Sequence, residues 1–482
     1  MSKIKTPQSG ETGQLSWLYD PKEQSLTLSG SGAIPDYPIG ETPWQEFRDE
    51  IKSIVLEEGV TRIGDYAFYN CTKVTSVEIP EGVTQIGESA FACGQSLKSV
   101  TIPGSVTEIG EGAFESCDSM KTLELTSGLK RVGAFAFSEC FSLRALDLPD
   151  TVERIERSAF TGTALKKLVI PSNVQEIGDN AFNGCIRLSR LKLSEGIRVI
   201  EEMAFSNCSD LTKVLIPASV ERLGDGVFAD CLAMTKIAVA PESEHFVVED
   251  NILYSKDMST LLHYPAGKEE QEFTLPEEVR KIAGLAFASN YFLTDVTLGD
   301  YLEEIGSYAF ARCYGLTYMY LPPQTTRLGV APFHDCTALQ EIEVDLDNPC
   351  YSSLGGIIYN EEQTQLIQYP AGICAESYTV VPEMVQEIAE YACYDAQNLE
   401  VLEIPAGVRK IGDMAFAFCD KLREVELQAT DPAQIEVGMM AFFSVADTPR
   451  KLRVPRGSRK LYEKSEQWLD YFHKIVEQPK KS

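Results

Sequence analysis

Thirteen cysteines and four histidines are the residues of this chain best suited to nucleophilic or metal chemistry. Nine of the cysteines share one address, three residues after a recurring phenylalanine or its equivalent: Cys71, Cys117, Cys140, Cys185, Cys208, Cys231, Cys313, Cys336 and Cys419. A thiol works as a nucleophile only beside a base, and as a zinc ligand only in close groups such as CxxC pairs with histidine. Neither pattern occurs. His245, His263, His334 and His473 are scattered, and none belongs to an HExxH signature. His334 lies two residues from Cys336, but no third group is evident to orient the pair. GxSxG, P-loop and Rossmann glycine patterns are missing as well. Asp345-Leu346-Asp347-Asn348 offers oxygen ligands for calcium without the spacing or turn glycine of a calcium loop, and reads as a polar lead-in to an insert. We therefore expect no catalytic residues, no metal and no cofactor.

The elements that would position these side chains repeat about every 23 residues. The phenylalanine falls at Phe68, Phe91, Phe114, Phe137, Phe160, Phe182, Phe205 and Phe228, then at Phe287, Phe310, Phe333 and Phe416. A fixed period of this size predicts a solenoid, in which each unit buries its apolar face only against its neighbours. Each unit has two apolar beats. The first, as in Leu97-Lys98-Ser99-Val100-Thr101-Ile102, alternates with the period of a half-buried strand, and a proline such as Pro103 commonly ends it. The second, as in Val83-Thr84-Gln85-Ile86-Gly87, closes on a glycine expected to supply an unusual backbone angle at a corner. Stacked coils would turn the nine cysteines into an interior column of free thiols, each a small hydrophobe with a weak donor for a turn carbonyl. Parallel side chains in such a ladder are poorly aimed for disulfides.

Composition narrows the partners. The net charge of −29, from 72 acidic and 43 basic residues, opposes nucleic acid and anionic bilayers, and its plain reading is solubility of a long surface. No apolar run is long enough to span a membrane. The stretch from Met1 to Thr6 holds no apolar run of the secretory kind, so either the protein stays inside or a leader is absent from this sequence.

These residues resemble the BspA-like leucine-rich repeat family of bacterial cell-surface proteins, over roughly residues 51 to 446. The resemblance implies a repeat solenoid, mostly β with short 3-10 or helical segments. It would be a right-handed superhelix of about 13 coils with two β-hairpin inserts, the first beats forming a parallel sheet on its concave side. It also implies a cell-surface or secreted protein binding host proteins, glycans or other cells. A cytoplasmic location is the alternative. The expected organisation is an N-terminal capping hairpin region at 1–50, repeats at 51–239, a hairpin insert at 240–275 and repeats at 276–344. A second insert at 345–381, repeats at 382–446 and a C-terminal cap at 447–482 complete it. The inserts match each other, Ile252-Leu253-Tyr254 through His263-Tyr264-Pro265 against Ile357-Ile358-Tyr359 through Gln368-Tyr369-Pro370. Their tyrosines suit hairpin packing better than ligand contact. All three tryptophans lie in the ends, Trp17 and Trp44 before the array and Trp468 after it, as expected of cap cores over sugar platforms.

The outward residue before the central aliphatic of the first beat is Ser76, Ser99, Thr122 and Ala145, then Lys167, Arg190, Lys213 and Lys236. Later coils place Asp295, Tyr318, Glu341, Val401 and Glu424 there. Four consecutive coils thus carry a cation at one address, with Lys192 one column over. Stacked like charges repel, so such a ladder calls for counterions, acidic neighbours or a bound anion. We expect this stripe to contact an acidic partner, a sulfated glycan or an acidic protein patch. A solvated lysine-rich face is the competing reading. Tyr318 and Tyr320, beside each other in one coil, are further binding candidates, since tyrosine is favoured at interface hot spots. Cross-strand packing is their plainer role. The sequence reads as a non-enzymatic binding protein, and a structural spacer without a specific ligand is its rival.

Overall fold

The computed structural model describes residues 6–374, 377–379, 382–444 and 450–479. The chain divides into two compact units, Met1–Lys256 and Asp257–Ser482. Each is a β-solenoid of stacked coils. In the first unit the second beats form one parallel seven-stranded sheet that runs from Gln85–Ile86 to Arg222–Leu223. The first beats pair coil to coil in register: Ser99–Ile102 with Thr122–Leu125, Lys167–Ile170 with Arg190–Leu193, and Lys213–Ile216 with Lys236–Val239. Alternate residues of these strands are buried, as in Ser99–Ile102, where Val100 and Ile102 point inward. The coil carrying Ala145 keeps its path but has no strand bonds. It precedes the shorter 22-residue step from Phe160 to Phe182, and Ala145 and Asp147 are weak strand formers.

The interior is two columns of side chains. Phenylalanine rings stack from coil to coil at 5.0–5.3 Å between Phe91 and Phe205. Beside them the thiols of Cys117, Cys140, Cys208 and Cys231 each donate to the carbonyl of the phenylalanine 26 residues earlier, at 3.3–3.5 Å. Where the address lacks cysteine, the residue there donates to other carbonyls. The Thr163 hydroxyl reaches the Phe160 carbonyl at 3.0 Å, and Asn290 Nδ2 reaches the Pro265 and Lys268 carbonyls at 3.2 and 3.0 Å.

The glycine that closes the second beat has a different role from the one expected. Gly87, Gly110 and Gly133 are not left-handed; a Cβ on Gly110 would instead lie 2.7 Å from the Gly87 carbonyl carbon of the coil below. They are required for close stacking. The positive φ angles occur two residues later and again two residues beyond the phenylalanine, at Ser89 (47°) and Cys93 (59°) in one coil and Phe135 (56°) and Glu139 (60°) in another.

The inserts carry antiparallel strands, as expected of hairpins, and these pack into the stack as modified coils. The first unit closes with Phe246–Glu249 antiparallel to Ile252–Ser255, and the second opens with Thr260–His263, which pairs in parallel with Lys281–Ile282. The second insert adds Tyr351–Leu354, so that Tyr351–Leu354, Ile357–Asn360 and Gln365–Gln368 form an antiparallel ribbon. Tyr264 occupies the phenylalanine slot: its N–H donates to the Ala286 carbonyl at 2.8 Å and its ring stacks 5.0 Å from Phe287. Tyr369 repeats the bond to Ala392, and Tyr254, Tyr264, Tyr359 and Tyr369 are all buried. They are core residues.

Each described end is closed by aromatics. In the first unit Gln8–Thr12, Leu15–Asp20 and Ser25–Gly30 form an antiparallel sheet, which continues in parallel into Ser53–Leu56. Trp44 stacks on Phe68 at 5.5 Å, donates from Nε1 to the Ala67 carbonyl at 2.9 Å and meets Trp17 edge-on. In the second unit two short helices, Arg459–Tyr462 and Glu466–Leu469, set Trp468 against Phe442, and Lys474–Glu477 adds a last strand. The Phe442 carbonyl, with no cysteine from a further coil to meet it, accepts from the buried Arg450 guanidinium.

Candidate functional site

Pairing of Lys167–Ile170 with Arg190–Leu193 sets Lys167 opposite Arg190 and Val169 opposite Lys192; the next pair sets Lys213 opposite Lys236. All five cations are exposed. The strand period explains this, since Leu168, Val214 and Ile237 turn into the core and force their neighbours outward. The structure brings Lys167 together with Arg190, and Lys213 with Lys236, in successive coils of the first unit.

One signal in the sequence was missed. Lys98, Lys121, Arg144 and Lys166 occupy the position directly after the leading apolar residue of the first beat, one residue ahead of the predicted column, and all are exposed. Their recurrence at one repeat position in four successive coils is the signal that marks them. Carboxylates Glu124 and Asp147 are exposed in the same coils as Lys121 and Arg144, whereas the four strands from Lys167 to Val239 contain no acid.

Cations on the two beats differ in their partners. On the second beat Arg131 is held by Glu156 at 2.7 Å and by Glu108, Arg154 by Glu176 at 2.7 Å, Arg222 by Glu201, and Lys130 by Glu153 at 3.5 Å. Partner and cation lie 21 to 25 residues apart, so these pairs tie adjacent coils. On the first beat Lys167, Arg190, Lys192, Lys213 and Lys236 have no carboxylate within ion-pair distance among the described residues. Exposed pairs contribute little stability, about 0–1 kcal/mol each, so the contrast concerns the field on the surface. The second-beat face is neutralised and the first-beat face of these four coils stays positive.

In the second unit, Tyr318 and Tyr320 stand on one strand, Tyr318–Leu321. The Tyr318 phenol donates to Glu343 at 2.6 Å and that of Tyr320 to Asp345. Burial and the Glu343 carboxylate push Tyr318 up to about 12; the bond to Asp345 and burial do the same for Tyr320. Both hydroxyls are committed to neighbouring acids, which leaves the rings as the contact surface.

Cys336 lies in the thiol column, donating to the Phe310 carbonyl at 3.0 Å, and burial pushes its thiol up to about 12. His334 is pushed down to about 4, chiefly by burial. A nucleophilic thiol requires the opposite shift. Asp345 and Asn348 are used internally: Asp345 accepts from the Asp347 N–H at 2.8 Å, and Asn348 Nδ2 donates to the Pro322 and Thr325 carbonyls. Among the described residues no group of three or more His, Cys, Asp or Glu is arranged to hold a metal ion. A groove of about 580 Å³ on the second-beat side of the second unit is lined by Leu328, Tyr351, Gln365, Lys410 and Glu436, with Lys410 paired to Glu387 at 2.8 Å.

The sequence profile described as BspA type leucine rich repeat region (6 copies) matches residues 39–164, 130–259, 266–370 and 374–463. A leucine rich cell surface protein from Faecalibacterium prausnitzii is similar in structure, with TM-score 0.51 and 24% identity over 89% of this chain and 97% of its own. The pneumococcal vaccine antigen PcpA (TM-score 0.43, 18% identity, 99% of this chain and 100% of its own) is also similar. So is a leucine-rich repeat protein from Bacteroides ovatus (TM-score 0.42, 18% identity, 98% and 100%). No curated protein matches the chain. No helix among the described residues is long and apolar enough to cross a membrane.

Proposed function

We propose that this chain, which belongs to the BspA type leucine-rich repeat family, is a non-enzymatic adhesion protein of a bacterial cell surface. It presents the first-beat strand face of its first unit to a protein or glycan of another cell. The observation that carries the reading is the unpaired positive face formed by Lys167, Arg190, Lys192, Lys213 and Lys236, in a chain whose net charge is −29. Stacked coils hold these side chains at fixed intervals, so a partner is met with little backbone ordering cost. The cell-surface placement follows the family and the Faecalibacterium relative, which is described as a cell surface protein.

The test is a screen of the purified protein against glycan and matrix-protein arrays, beside a variant carrying K167E, R190E, K213E and K236E. A hit that disappears in the variant, with circular dichroism unchanged, is the expected result. An empty screen refutes adhesion and leaves a structural spacer in its place. A hit that survives the substitutions keeps adhesion and removes the stripe, and Tyr318 and Tyr320 become the site to test.

A further inference from the structure

The outward positions of the four acid-free strands form two columns. One is Lys167, Arg190, Lys213 and Lys236; the other is Val169, Lys192, Leu215 and Ala238. The second column is largely aliphatic and open to solvent, with Leu215 at 56% and Val169 at 37% exposure. Ile186 (52%) and Leu232 (39%) are exposed just before the same strands. No aromatic ring projects from any of the four strands, so the platform on which sugar rings commonly stack is missing there. A cation column beside an aliphatic column suits a partner that carries acids and aliphatics side by side.

Spacing selects the partner's conformation. Successive coils place a cation about every 4.8 Å along the stack. An extended segment brings side chains to one face about every 6.7 Å and falls out of step at once. An α-helix laid along the stack returns to one face every turn, about 5.4 Å, and drifts by about 2 Å over three steps, within the reach of lysine stems. Its i, i+3 and i, i+4 neighbours also supply two adjacent columns, with Cβ atoms about 5–6 Å apart.

Resting on the binding-surface reading above, we infer that the face built from Lys167, Arg190, Lys213, Lys236, Val169 and Leu215 docks an acidic amphipathic α-helix of another protein. The helix lies along the coil stack with its carboxylates over the cations and its aliphatics against Val169 and Leu215.

Three probes test this on the full chain: a synthetic helical peptide with adjacent Glu and Leu columns, the same composition scrambled, and heparin. Two variants accompany them, the fourfold charge reversal above and Val169→Gln with Leu215→Gln, both at exposed positions and both checked by circular dichroism. The ordered peptide should bind at least about tenfold tighter than the scrambled one, a difference of about 1.4 kcal/mol. Charge reversal should abolish its binding, and the glutamine pair should weaken it about fivefold through lost apolar burial. Equal binding of ordered and scrambled peptides, or indifference to the glutamine pair, overturns the helix. Heparin binding without peptide binding overturns it in favour of a sulfated glycan. If no probe binds while the arrays yield a hit, this inference falls and the adhesion reading stands; if the arrays are empty too, both fall.

Discussion

The ring ladder predicts coupling that stops at the nearest neighbour. Phe137 is fully buried between Phe114 and Phe160, with ring centroids 5.3 Å away on both sides and interplanar angles of 2° and 8°. A stacked pair is worth about 0.5–1.5 kcal/mol beyond its burial. Phe137→Leu loses two such pairs and part of the ring volume, so it should cost about 2–3 kcal/mol. In a double-mutant cycle, Phe137→Leu with Phe160→Leu should show a coupling of about 1 kcal/mol. Phe114→Leu with Phe160→Leu, whose rings are separated by Phe137, should add within about 0.5 kcal/mol. Urea unfolding of the full chain by far-UV circular dichroism gives the numbers, fitted with nearest-neighbour terms as repeat arrays require. Coupling below about 0.3 kcal/mol for the adjacent pair, or equal coupling for the separated one, would refute pairwise stacking as the source of coil cohesion.

Thiol accessibility should divide the 13 cysteines sharply: Cys374, and more slowly the half-buried Cys93 and Cys350, react with an alkylating agent in the native protein, while the ten buried thiols react only after denaturation. Mass spectrometry counts the labels, and labelling of Cys140 or Cys185 in native protein at pH 9 would contradict the burial that pushes both up to about 12. The His263 imidazole is pushed down to about 4 by burial, below its ordinary 6.5. The unfolded chain therefore takes up a proton as pH falls below 6.5 that the folded chain refuses until about 4, so stability is lost across that window, by up to about 3 kcal/mol. His263→Gln, which copies Gln368 at the matching position of the second insert, should flatten the pH dependence of the urea midpoint; an unchanged slope would remove His263 as its source. Arg450→Met should cost the second unit about 3 kcal/mol or more by stripping donors from the Leu422, Cys419 and Phe442 carbonyls. A midpoint shift no larger than that of an exposed arginine would show that water replaces the guanidinium.

Much of the fold could be read because one rule repeats along the chain. The phenylalanine period predicted the stack, the cysteine address predicted interior thiols donating to turn carbonyls, and the tryptophans at the ends marked both caps. The glycines misled, because close approach and a left-handed angle leave the same residue in a sequence; only the coil below Gly110 tells them apart. The state of the charges was hidden for a related reason. Arg131 and Lys167 look alike in the sequence, and the carboxylates that hold Arg131 come from coils 23 and 25 residues away, whose register the stack decides. Lys98, Lys121 and Arg144 escaped because they sit where the chain turns into the strand, outside the strict alternation of the first beat. The phenols of Tyr318 and Tyr320 reach 25 residues forward to acids, a contact no local pattern announces.

Placement of the three tryptophans in the caps makes this protein its own optical gauge of fraying. Trp17 and Trp44 report from the first coils of one unit and Trp468 from the last coil of the other, and none lies between Phe68 and Phe442. Indole fluorescence therefore registers only the ends, while circular dichroism averages over every coil. A stack that melts all at once would give superimposed curves. A unit that peels from its tryptophan end would lose its indole signal first, and the interval between the two curves would measure how many of its coils open before the rest give way.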